Sequence, residues 1–167
     1  MLAIKTWCAP AEHRVLAARL VWFLSPIAES VGAFASAELQ VSAGGVARRP
    51  DVALVKGEPP TSGRLDHPAE LIIVLGADDP GAWLAAGTRM VWRLEPEVVV
   101  EHSRGGTRRA SGGVLRVPGV PGARIPVEDL LSGAGTVPRP ARAASPRPAR
   151  PELRLARLLD PSPDALL

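Results

Sequence analysis

Two carboxylates stand where one cation could join them. If Gly44-Gly45 forms a two-residue hairpin loop, Glu38 falls directly opposite Asp51 on the neighbouring strand. Their Cβ atoms would then lie about 4.5–5.5 Å apart on one face. Like charges that close destabilise each other unless a cation or an arginine lies between them, which is the logic of an oxygen-ligand metal site. The alternative leaves both facing solvent or paired with Arg48 and Arg49, with Pro50 bulging the strand and spoiling the register. The other reactive residue types carry less. His13, His67 and His102 show no ligand spacing and read as surface or capping residues, and Cys8 has no His-Asp partner set that would make it a nucleophile. Arg104, Arg108 and Arg109 flank a turn, where they could touch phosphates or simply keep the surface soluble.

The elements that must position these groups follow from periodicity. Leu16, Leu20, Phe23 and Leu24 share one helical face, which predicts a helix over 11–24 that Ser25-Pro26 ends or kinks. SAELQV at 36–41 and DVALV at 51–55 read as the two strands of a hairpin, and the breaker-rich stretch 56–69 as a loop. ELIIVL at 70–75 is a continuous apolar run, the pattern of a central strand covered on both faces. A short helix over 82–87 closed by Gly87, a strand over 89–94 and a final hairpin over 98–117 complete the expected core. Trp22, Trp83 and Trp92 fall on amphipathic or apolar stretches and read as core rather than as base-stacking platforms.

Charge and composition narrow the function classes. The chain has 167 residues, room for one ordinary domain, and no apolar run approaches the roughly 18–20 residues of a membrane span. One cysteine excludes an intramolecular disulfide, and Glu12, His13, Arg14 and Arg19 interrupt what would have to be the apolar core of a secretory signal, so the cytoplasm is the expected compartment. The net charge of +3 is confined to one end. Residues 1–132 hold fourteen Lys plus Arg and fourteen Asp plus Glu, whereas 133–167 hold six Arg against Glu152, Asp160 and Asp164. With seven prolines that last segment reads as a disordered tail, in which PELRLARLLD at 151–160 could form a helical turn or two on binding. Arg139, Arg142, Arg147 and Arg150 are its candidate nucleic-acid contacts, together with Arg154 and Arg157. The expected organisation is an extension at 1–10, a domain at 11–132 and a tail at 133–167.

The order of motifs resembles the Uma-type (Uma-two) restriction-endonuclease family of the PD-(D/E)XK nuclease superfamily. RRPDVALV at 48–55 is similar to that family's Pro-Asp strand, and PAELIIVLG at 68–76 to its next core strand. WLAAGTRMVWRLEPE at 83–97 is similar to its helix-to-strand segment and carries the most specific likeness, while PGARIPVEDLL at 121–131 resembles its closing motif. The resemblance implies an α+β or α/β fold: a restriction-endonuclease-like core with a mixed central sheet from 36–42, 51–55, 70–75 and 89–94, an N-terminal helix and one short core helix. It also implies Mg²⁺-dependent phosphodiester hydrolysis on DNA. A homodimer is compatible with it.

Such chemistry needs two or more carboxylates on the metal and usually a lysine beside the attacking water. The resemblance puts the first acid on Asp51 and the second on position 74, which is Val74. The stretch that normally supplies the lysine is reduced to ADDPGA at 77–82. Glu70 shares the parity of position 74 but lies about 13 Å away along the strand. Asp78 and Asp79 are the candidate substitute acids, with N-capping of the following helix as their other reading, and Lys56 is the candidate substitute lysine, with a solvated loop charge as its other reading. The expectation is therefore a restriction-type DNA endonuclease that is weak or inactive in this copy. The alternatives are a catalytically dead nuclease-fold binding module that holds nucleic acid through its basic tail, or a protein-interaction domain.

Overall fold

A computed structural model of the protein describes residues 10–132, apart from 38 and 44. The expected tail, with Arg139, Arg142, Arg147 and Arg150, lies outside the described residues, as does Glu38.

The chain runs α1 (Pro10–Glu29), β1 (Ala33–Ser36), β2 (Gln40–Ala43), β3 (Val46–Arg48), β4 (Val52–Lys56), β5 (Arg64–Leu65), β6 (Leu71–Val74), α2 (Pro80–Ala85), β7 (Met90–Glu95), β8 (Val98–Ser103), β9 (Gly106–Ala110), β10 (Val114–Arg116), β11 (Arg124–Pro126) and α3 (Val127–Ser132). The central sheet has the order β1-β4-β6-β7-β8-β9. It is mixed, as expected: β6 and β7 are parallel and joined through α2, and the other neighbours are antiparallel.

Alternation along the strands sorts the core into two layers. Val52, Leu54, Leu71, Ile73, Leu75, Trp92, Leu94 and Val99 pack on one face with Leu20, Phe23 and Leu24 of α1 and with residues of β10, β11 and α3. Ala53, Val55, Ile72, Val74 and Val91 pack on the other, under Trp83 of α2 and against Leu39, Val41 and Leu65. Strand β6 is buried at every position, which explains why its sequence is a continuous apolar run.

Four expectations are corrected. Helix α1 passes through Pro26 and ends at Glu29. The proline lacks the N–H that would bond the Trp22 carbonyl, Ser25 Oγ donates to the Val21 carbonyl at 2.7 Å, and burial of Ala28 favours continuing the helix. Trp22 is 65% exposed, because it lies about 200° around the helix from Leu20 and Leu24. The segment 36–42 is not one strand of the central sheet. It divides between β1, which pairs with β4, and β2, which belongs to a separate three-stranded sheet of order β3-β2-β5 that also takes two residues of the expected 56–69 loop. The last hairpin ends at Ala110, and β10 pairs instead with β11 across the 117–123 loop.

The register inferred from Gly44-Gly45 is present in both ladders. Val41 faces Arg48 in one sheet and Ala33 faces Lys56 in the other, the spacing that a two-residue turn at 44–45 imposes.

Candidate functional site

Asp51 sits just before β4, at the end of the sheet where β6 finishes. Its carboxylate is only partly exposed and has two partners from distant segments. His13 Nε2, on the first turns of α1, pairs with Oδ1, and the Leu75 N–H donates to Oδ2 at 2.6 Å. The site thus joins residues 13, 51 and 75, brought together because α1 packs against β1 and β4 and β6 pairs with β4.

The position assigned to the second acid can now be located. Val52 faces Ile73 in the β4–β6 ladder, so Asp51 falls opposite Val74 one residue earlier. Val74 is fully buried beneath Trp83. A methyl-bearing side chain in a dry cluster supplies no ligand.

The other candidates do not converge on Asp51. Asp79 caps α2, its Oδ1 accepting from the Gly81 N–H at 2.9 Å, while Asp78 is exposed in the preceding turn. Lys56 is at the far end of β4, about 17 Å of strand from Asp51, and its Nζ stands 3.8 Å from Glu70 Oε1. Among the described residues, no three of His, Cys, Asp and Glu come together in a way that could hold a metal ion. Among the described residues this site holds one carboxylate, and both of its oxygens have protein partners; Glu38, the other expected ligand, is outside them. The partner that sequence reasoning missed is His13. It lies 38 residues from Asp51, and no local pattern links the two.

The arginines of the last hairpin are occupied. Arg108 pairs with Glu101, which is otherwise buried beside Trp92, and Arg109 Nη2 reaches Glu95 Oε2 at 2.9 Å with Arg93 on the other oxygen at 3.1 Å. His102, facing this second cluster, has its pKa lowered, first by burial and then by the charge of Arg93, with Glu95 and Asp79 opposing. Its Nδ1 lies 3.2 Å from Thr107 Oγ1, and its buried Nε2 has no partner.

No family model matches this sequence. No curated protein matches it either. The structure is similar to the crystal structure of "a putative nuclease belonging to DUF820" from Anabaena variabilis, with a TM-score of 0.62 and 17% identity over 72% of this chain and 80% of that one. At that identity the likeness is one of fold, and it agrees with the mixed sheet, the N-terminal helix and the short core helix described above. The chain has a restriction-endonuclease-like fold.

Proposed function

We propose that this is a nuclease-type domain of the Uma-two kind that engages DNA and hydrolyses it weakly or not at all. The DNA-directed part of the reading is supported by the fold and by the motif order, and the loss of hydrolysis by one observation. Asp51 is held by His13 and the Leu75 N–H, and the residue opposite it is a buried valine. Phosphodiester cleavage in water at neutral pH needs charge stabilisation that Asp51, the one carboxylate at this site among the described residues and already paired, does not supply alone. No helix among the described residues is long and apolar enough to cross a membrane, and we assign the domain to the cytoplasm on its single cysteine.

The test is incubation of the full chain with supercoiled and linear DNA in Mg²⁺ and in Mn²⁺. The expected result is no cleavage above a metal-free control. Robust cleavage abolished by Asp51→Ala overturns the proposal and points to Asp78 or Asp79 as the second ligand.

A further inference from the structure

At the opposite end of β4 the charge balance is reversed. A groove of about 560 Å³ runs between the sheet end and the 118–122 loop, with Lys56, Arg89, Arg116 and Arg124 among its lining residues. Resting on the nucleic-acid reading above, we infer that this groove is where a phosphodiester backbone lies.

Three observations carry the inference. The first is local charge. Residues 10–132 hold thirteen Lys plus Arg against fourteen Asp plus Glu, so the described part of the chain is close to neutral. Here four cations face one carboxylate, that of Glu70, which lies 3.8 Å from Lys56 Nζ and 3.5 Å from Arg89 Nη1. Its Oε2 is buried and takes no hydrogen bond.

The second is the pairing of like charges. Arg116 and Arg124 are direct cross-strand partners on β10 and β11. Both are exposed, and among the described residues neither forms an ion pair, whereas Arg64, Arg93, Arg108 and Arg109 all do. Two guanidinium groups side by side repel each other, and an anion between them removes the repulsion; the planar donor fork of arginine matches phosphate oxygens.

The third is the wall of the groove. Gly119 has φ +76, and a Cβ there would meet Glu70 Oε2 at 2.8 Å. The 118–122 loop therefore lies against the Glu70 carboxylate, beside the paired arginines. A built, open, net-positive channel suits an extended polyanion better than a single small ion.

The experiment measures binding of a fluorescent duplex by the full chain over a salt series. It compares the unaltered protein, the double variant Arg116→Gln/Arg124→Gln, the double variant Arg116→Lys/Arg124→Lys, and a variant with Arg139, Arg142, Arg147, Arg150, Arg154 and Arg157 all changed to Gln. Each phosphate contact contributes roughly 0.9 to the log-log salt slope on duplex DNA. The glutamine pair should make the slope shallower by up to about 2, the lysine pair should restore most of it, and the tail variant should keep the groove's share. If the unaltered protein binds but the glutamine pair leaves its slope unchanged, the groove assignment is wrong and the nucleic-acid reading stands. If the unaltered protein binds no duplex even at low salt, the nucleic-acid reading itself fails.

Discussion

The two ends of strand β4 treat charge in opposite ways. At its beginning Asp51 is paired within the fold with His13 and a backbone N–H, opposite a buried valine. At its end Lys56 belongs to a set of cations that outnumber their carboxylate and line an open groove. A charge whose partners are internal contributes to stability and has little left to offer a ligand. A charge without an internal partner costs a little stability and remains available, so the two ends should respond differently to mutation.

The largest effect is expected from placing an acid at position 74. Val74→Glu would bury a carboxylate among Ala53, Ile72, Trp83 and Val91 and set it opposite Asp51. It should cost more than about 4 kcal/mol and abolish a cooperative thermal transition. A folded variant whose midpoint rises with Mn²⁺ would mean that this end can still accept a metal, and the comparison would break.

Removing the acid is the next largest. Asp51→Ala leaves the Leu75 N–H without its acceptor and His13 without its carboxylate, at an expected cost of about 1–3 kcal/mol in urea unfolding. A change within the error of the measurement would show that Asp51 is not held as described. At the other end, Arg116→Gln/Arg124→Gln should shift stability by no more than about 0.5 kcal/mol, in the stabilising direction, because it relieves repulsion between exposed groups. That gain should shrink in high salt, where the repulsion is screened, and a clear loss of stability would mean that the pair has an internal partner.

The smallest effect concerns pH at the second cluster. The folded state of His102 resists protonation, so its contribution to stability is complete above the unfolded value of about 6.5 and is lost as pH falls through the lower folded value. Thermal midpoints between pH 7.5 and 5.5 should therefore fall less in His102→Gln than in the unaltered protein. Equal slopes would mean that His102 does not carry the acid sensitivity.

Much of the core was legible in the chain, because apolar periodicity is local. The run at 71–74 marked a strand covered on both faces, the i, i+4, i+7 spacing of α1 marked its buried side, and Gly44-Gly45 set a register that two separate ladders share. Where the resemblance implies an acid, the sequence has Val74. Sheet membership was not legible. Nothing in 36–41 says that the chain changes sheets near Ala37, and a proline that usually ends a helix is overridden at Pro26 by the burial of the turn that follows.

The sequence by itself determined most of the strands and helices and the faces they bury, and that position 74, on the strand beside Asp51, is a valine. Tertiary structure alone decided that His13 meets Asp51. It also decided that Lys56, Arg89, Arg116 and Arg124, from four separate strands or strand ends, share one groove. The reason is physical. Secondary structure is selected by side-chain patterns within a few residues, whereas a site is an intersection of surfaces whose position depends on how every element packs.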